Sequence, residues 1–384
     1  MIEQILTSTK IIKLNHLSAG ELDKLIFYCG GKDSRVAIIH DNRPFIIRDK
    51  MINELKEKRK ITVLDTVFPD PKVSDIMQMA NLLSGEEINI LIGIGGGSTL
   101  DSAKGVAAII SNGGDLEDYL GDNPSKKIDK RGIKLILIPT TAGTGSEVTK
   151  FGVYTSRSGR KYTLNSSYLQ ADVAVLVSDY TYSLPPAITA ATAFDALSHA
   201  LETIWNKNAS LLSDKAATES AIAIMQCIEK AYKNSIKERG EMIESACMAG
   251  IAFNMTGTAA VHALSFILSE EWHVPHGVAC SFTLENVMMI NVNDKATKDK
   301  LVYIARILFG NGNEDEMIKK LYDRIIELKK RFNLPINFSD LNICMPESKI
   351  NELFAKSLND PKMKNNVIPF DLNMIYGIIK GKIN

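Results

Sequence analysis

One junction narrows the possible folds more than any other part of the sequence. The apolar run Asn89-Ile-Leu-Ile-Gly-Ile94 passes directly into Gly95-Gly-Gly-Ser98 and then into the helix-period segment TLDSAKGVAAII. A buried strand, a glycine turn and a helix in that order form the opening of a βαβ unit. Ser98 and Asp101 have the S-x-x-D form of a capping box, which predicts that the helix starts at this point. Glycines let a phosphate approach the backbone, and the free N–H groups of a helix terminus attract the anion. The literal pattern departs from G-x-G-x-x-G, because Ser98 stands where the third glycine would be. A ligand-free tight turn would use the same residues.

The rest of the first half repeats this alternation. Strands are expected at Arg35–Ile39, Pro44–Ile47, Ile61–Leu64, Ile88–Ile94, Lys134–Ile138 and Val173–Val177. Helices are expected between them, at Met51–Lys60, Ser74–Leu83 and Thr99–Ser111. Short Ile/Leu/Val-rich strands separated by helices imply a parallel sheet covered on both faces. After Pro185-Pro186 only helix-period runs follow, at Thr189–Trp205, Asp214–Lys233, Glu241–Phe253, Glu314–Phe332 and Glu347–Ser357. A boundary within 178–186 gives an α/β domain over 1–180 and an all-α domain over 181–384. Domains of this size bury a core without disulfides.

Composition excludes several function classes. Forty-five Lys and Arg balance 45 Asp and Glu, so there is no charge excess of the kind that binds nucleic acid or an acidic membrane. No apolar run reaches the ~18 residues of a membrane span. The start, MIEQILTSTK, has an early acid and no apolar stretch of a secretory signal. The five cysteines are widely spaced with no C-x-x-C, and they read as reduced thiols of a cytoplasmic protein, not as zinc ligands or a disulfide frame.

Two further segments lie at expected strand ends, where open α/β sheets bind ligands. Asp41 closes Val36-Ala-Ile-Ile-His-Asp41. An acid there can hold adenosine ribose hydroxyls and repel a 2′-phosphate, or it can open an Asx turn before Asn42-Arg43-Pro44. Pro139-Thr-Thr-Ala-Gly-Thr-Gly-Ser-Glu-Val148 is rich in hydroxyls and glycines, and serves equally as a ligand loop or a polar connection. The turn TSRSGRKYT, with Arg157, Arg160 and Lys161, reads as solvated charge.

Of six histidines, four fall in the helical half: His199, His262, His273 and His276. Asp195 and His199 are spaced i, i+4 in AATAFDALSHALE, so a helix projects them from one face about one turn apart. His262 lies in the apolar GTAAVHALSF, and His276 follows a proline in Val274-Pro-His-Gly277. Three imidazoles and a carboxylate suit Fe²⁺, Zn²⁺ or a similar ion, and no cysteine competes nearby in sequence. The alternative is an Asp–His ion pair on one helix with two unrelated histidines. His273 could contact substrate, relay a proton or simply be solvated.

Taken in order, GGGSTLDSAKG, PTTAGTGSEVT, LPPAITAATAFDALSHALE and VPHGVAC resemble the iron-containing (group III) alcohol dehydrogenases over about residues 35–290. The resemblance implies a Rossmann-like dinucleotide-binding domain and an all-α domain in a dehydroquinate-synthase-like architecture, with the active site in the cleft between them. It implies Asp195, His199, His262 and His276 as metal ligands, Fe²⁺ as the ion and Zn²⁺ or another divalent ion as a substitute. It places the pyrophosphate of NAD, in preference to NADP, on Gly95, Gly96, Gly97 and Ser98. Thr140, Thr141, Ser146, Val148 and Lys161 would lie along the cofactor. Asp41 would bind the ribose, and Asp70 falls where the family usually has Asn near the adenine. It also implies a homodimer acting on a small aldehyde or alcohol.

Departures accompany the match. Many members carry a histidine four residues after the third ligand, and here that position is Phe266, which neither binds metal nor carries a proton. The proton source is then metal-bound water, a ribose hydroxyl or His273. The wording VHALSF and VPHGVACSFTL is similar to reductases of small anionic aldehydes such as phosphonoacetaldehyde or sulfoacetaldehyde. Two relatives of the same general architecture are rival readings: lyases of the dehydroquinate synthase type, which show no net redox, and zinc glycerol dehydrogenases.

Overall fold

A computed structural model describes residues 7–121 and 123–383. They form two compact units, one of residues 7–141 with 145–183 and one of residues 142–144 with those from 184 onward.

In the first unit the strands are β1 (Lys10–Leu14), β2 (Val36–Asp41), β3 (Ile61–Val67), β4 (Ile90–Gly95), β5 (Lys134–Pro139), β6 (Phe151–Thr155), β7 (Lys161–Asn165) and β8 (Val173–Val177). Six make one parallel sheet in the order β1-β8-β5-β4-β2-β3. The helices are α1 (Ala19–Gly30), α2 (Ile46–Lys56), α3 (Val73–Leu82) and α4 (Gly97–Asn112). Strand alternation builds a separate core on each face. Leu91, Leu135 and Leu137 join residues of α3 and α4, while Ile90, Ile92, Ile94, Ile136 and Ile138 join residues of α1 and α2. From β2 the chain moves outward to β3, then crosses back to β4 on the other side of β2. The C-terminal ends of β2 and β4 therefore flank a topological switch point, where sheets of this kind bind ligands.

Two local expectations fail here. Pro44–Ile47 is not a strand but the entry to α2. Asp49 accepts the Phe45 N–H at 3.1 Å, and buried Arg48 donates to the carbonyls of Asp41 and Arg43 at 3.2 and 2.8 Å, winding the segment into a helix. The TSRSGRKYT segment is the turn of the antiparallel β6–β7 hairpin, and its charges are engaged: Arg157 donates to Asp115 at 2.6 Å and Lys161 to Asp70 at 2.7 Å.

The second unit contains α5 (Pro186–Ile204), α6 (Leu211–Tyr232), α7 (Ile236–Thr256), α8 (Ala260–Trp272), α9 (His276–Asn291), α10 (Lys295–Phe309), α11 (Glu314–Arg331), α12 (Glu347–Ala355) and α13 (Leu372–Lys380). Pro186 occupies the first position of α5, where its missing N–H costs nothing. Almost every residue of α5 from Thr189 on is buried, so it is the central helix, packed by α6, α7 and α9. Among the described residues no single helix is long and apolar enough to cross a membrane.

Candidate active site

The central helix α5 carries three acid–base side chains on one face: Asp195, His199 and Glu202, at i, i+4 and i+7. His262 enters from the first turn of α8, and His276 is the first residue of α9. Gly277 explains how α9 comes so near. A Cβ at that position would stand 2.2 Å from the Ala191 carbonyl oxygen, so only glycine lets the start of α9 press against α5.

The result is a buried carboxylate ringed by imidazoles. Asp195 Oδ1 lies 3.5 Å from His276 Nε2, 3.6 Å from His262 Nε2 and 3.9 Å from His199 Nε2. Asp195 Oδ1 and His262 Nε2 are both buried without a hydrogen-bond partner. Such atoms are costly to leave bare, and their facing lone pairs suit a shared cation. Burial alone would raise the Asp195 carboxyl, but the surrounding imidazoles outweigh it and hold the acid well below the usual carboxylate range. Burial pushes His199 down to about 3, which keeps its ring neutral, as a metal ligand must be. These residues fit a divalent ion.

Two members of the cluster escaped the sequence reading. Glu202 is fully buried, and its Oε2 lies 2.5 Å from His262 Nδ1. Its Oε1 accepts the N–H groups of Val261 and His262 at 2.5 and 3.2 Å, satisfying the otherwise uncapped start of α8. A carboxylate on Nδ1 fixes the tautomer that turns the Nε2 lone pair toward an ion. Its spacing of seven residues from Asp195 was the available signal. Glu202→Gln is expected to lower metal affinity or turnover by about 10–100-fold, read by metal titration and steady-state rates. Wild-type values in both would remove Glu202 from the site.

The second is Cys280, and it corrects the expectation that no cysteine competes near the expected ligands. One turn after His276 on α9, its Sγ lies 3.7 Å from His276 Nε2. The ligand atoms of Asp195, His262, His276 and Cys280 all fall within 4.8 Å of one another, a group that does not include His199. His273 is placed apart from this group. It caps α8 in the left-handed conformation at φ 54° and is exposed. Phe266 sits edge-on to the His276 ring at 6.3 Å.

In the sheet unit the glycine turn differs in detail from expectation. Gly96, not Ser98, caps α4, and it does so without any side-chain hydrogen bond. Asp101 is instead a tether, accepting from the Ser146 hydroxyl at 2.6 Å and the Val153 N–H at 2.9 Å. The first amides of α4 are thus left without a side-chain cap. Gly95 has to be glycine, since a Cβ there would stand 2.3 Å from Thr99 Oγ1. Thr140 and Thr141 follow β5 directly beside this turn, the Thr140 N–H donating to the Gly95 carbonyl at 3.0 Å. Val148 is fully buried.

Asp41 is level with Gly95 across the β2–β4 pairing, since His40 pairs with Ile94. It forms the Asx turn, its Oδ1 accepting the Arg43 N–H at 3.1 Å, and it also binds the Arg43 and Arg48 guanidiniums at 2.8 and 3.3 Å. Burial would raise its pKa, but the Arg43 contacts outweigh this and keep it ionised. Asp70 lies in the left-handed region at φ 58° and pairs with Lys161.

The sequence matches the iron-containing alcohol dehydrogenase model over residues 15–178 and the C-terminal model of the same family over residues 189–383. The chain belongs to the iron-containing alcohol dehydrogenase family. It is therefore an oxidoreductase of the alcohol dehydrogenase class. It is 30% identical to alcohol dehydrogenase 4 of Saccharomyces cerevisiae over 97% of this chain and 98% of the yeast protein. It is 31% identical to the sulfoacetaldehyde reductase of Bilophila wadsworthia, over 71% of this chain and 69% of that one. A crystal structure of the sulfoacetaldehyde reductase from Bifidobacterium kashiwanohense in complex with NAD⁺ superposes with a TM-score of 0.88 at 27% identity, covering 100% of this chain and 98% of that one.

Proposed function

We propose that this dehydrogenase uses NAD(H) to interconvert small aldehydes and primary alcohols on a divalent ion held by Asp195, His199, His262 and His276. The carrying observation is the buried Asp195 carboxylate, ringed by three imidazole nitrogens with its Oδ1 unpartnered. The helical unit is the metal and substrate domain in this reading, and the sheet unit binds the dinucleotide. When bound, the ion supplies Lewis-acid polarisation of the substrate oxygen and the dinucleotide supplies or accepts hydride.

The residues of the chain prepare that chemistry. Glu202 holds His262 in one tautomer and one orientation. The amides of Gly95, Gly96, Gly97 and Ser98 receive the pyrophosphate, with Thr140 and Thr141 beside them. Ser146, through Asp101, braces α4 against the segment that includes Val148. Lys161 and Asp70 lie along the cofactor as a pair. Phe266 and the other apolar walls exclude water. His273, exposed and three residues before His276, is the residue we assign to proton exchange with solvent.

Asp41 is assigned to the ribose, favouring NAD over NADP. Asp41→Ala is expected to shift the kcat/KM ratio toward NADPH by about tenfold, roughly one charge-assisted hydrogen bond, because it frees Arg43 and Arg48 for a 2′-phosphate. An unchanged ratio would remove Asp41 from cofactor selection.

Within the aldehydes, an anionic substrate such as sulfoacetaldehyde or phosphonoacetaldehyde is supported by Lys362. Its ammonium, paired with Asp360 at 3.1 Å, lies 3.7 Å over the ring of Phe266, which in turn sits edge-on to His276. Cysteines held as thiols, such as Cys29, Cys227 and Cys344, support a reducing, cytoplasmic setting, and the family resemblance supports a homodimer. The test is NADH oxidation by anaerobically Fe²⁺-loaded protein against acetaldehyde, lactaldehyde, succinic semialdehyde, phosphonoacetaldehyde and sulfoacetaldehyde. Turnover is expected, fastest with an anionic member. No turnover with any of them, with metal and NAD both bound, overturns the reading.

A further inference from the structure

We propose that Cys280 is itself a metal ligand, so that the ion is held by a mixed nitrogen, oxygen and sulfur set. The first argument is distance. Neighbouring ligand atoms about 2.0–2.3 Å from one ion stand roughly 3–3.8 Å apart. Three separations in the cluster match: Asp195 Oδ1 to His276 Nε2 at 3.5 Å, Asp195 Oδ1 to His262 Nε2 at 3.6 Å, and Cys280 Sγ to His276 Nε2 at 3.7 Å. The second argument is what surrounds the thiol. Cys280 is fully buried and faces two buried atoms with no hydrogen-bond partner, Asp195 Oδ1 and His262 Nε2. Those bare lone pairs point to a cation independently of the cysteine. The third is helix geometry. On α9, His276 and Cys280 are at i, i+4, the same spacing that brings Asp195 and His199 together on α5.

Binding would release the thiol proton to solvent and leave a thiolate on the ion, with no change of oxidation state. A soft sulfur donor draws the preference of the site toward thiophilic ions such as zinc, relative to a set of three imidazoles and one carboxylate. The structure thus assigns to this chain a metal preference that its four oxygen and nitrogen ligands alone would not give.

X-ray absorption on the zinc-loaded wild-type chain tests this directly. A sulfur scatterer at about 2.3 Å is expected, and a shell of nitrogen and oxygen alone overturns the proposal. Cobalt substitution then identifies the sulfur. The Co²⁺ protein should show a near-ultraviolet thiolate-to-cobalt band that is lost in Cys280→Ser and kept in Cys344→Ser, where the cysteine is exposed. A band that survives in Cys280→Ser also overturns it. If that variant does not fold, the wild-type absorption spectrum still decides. Neither readout involves turnover, so failure here is distinct from failure of the aldehyde reductase reading.

Discussion

His262→Ala is expected to lose bound metal and turnover together, with the rate falling to background. His262 makes two contributions at once. Its Nε2 faces Asp195 Oδ1 at 3.6 Å without a hydrogen bond, and its Nδ1 lies 2.5 Å from Glu202. In the proposed site, removing the ring takes one donor from the ion. It also strands a fully buried carboxylate whose remaining partners are two backbone N–H groups. Breaking a buried pair from one side costs about 3–5 kcal/mol, so the metal-free variant should also unfold earlier. Metal content by elemental analysis, NADH oxidation and thermal unfolding on the same sample separate the effects. His262→Gln, which keeps a polar side chain toward Glu202, should recover stability but not metal. A His262→Ala protein with full metal content and wild-type turnover would remove His262 from the ligand set.

The cluster was legible in sequence where spacing alone carried it. Asp195 and His199 declare a shared helix face, and the rarity of histidine in the chain drew attention to His262 and His276. Glu202 and Cys280 were legible by the same rule, at seven residues from Asp195 and four from His276, yet each is set in a run of mostly apolar and small residues that does little to mark it. The same composition hid α8 and α9, whose buried small residues leave no amphipathic period. In the sheet unit, the strand–glycine–helix junction was plain, but its cap was not. Ser98 and Asp101 satisfy the capping pattern locally, and tertiary contacts with Ser146 and Val153 claim Asp101 instead. Asp41 presents the same conflict between a local turn and a distant role. The structure shows the turn made and two guanidiniums on the carboxylate, and the sequence alone shows only that both uses are open. The β6–β7 hairpin was unreadable because its strands are short and mix apolar with polar residues, and partners far off in sequence such as Asp101 and Asp70 hold it.

The second large effect lies away from the chemistry, in how the C-terminal end is held. Glu285 on α9 binds two lysines, Lys329 of α11 at 2.9 Å and Lys382, beyond α13, at 2.9 Å. All three side chains are at most 2% exposed. Lys382 also donates to the Ile336 carbonyl at 3.1 Å and lies over the Phe282 ring at 4.5 Å. Burial would raise Glu285, but Lys329 and Lys382 outweigh it and keep the acid ionised. Burial takes Lys329 down to about 8 despite Glu285. Glu285→Ala removes the one carboxylate that both ammoniums share, and a loss of about 3–5 kcal/mol in unfolding free energy at pH 7 is expected from urea titration. The pH dependence follows in sign. Lys329 has a folded pKa below its unfolded 10.5, so its burial opposes folding fully below about 8, and the penalty fades as pH rises toward 10.5. Without Glu285 the folded pKa drops further, the variant sheds the proton more readily, and its deficit against wild type should shrink between pH 7 and pH 10. A variant within about 1 kcal/mol of wild type at pH 7, or a deficit that grows with pH, would show that this cluster does not anchor the C-terminal segment.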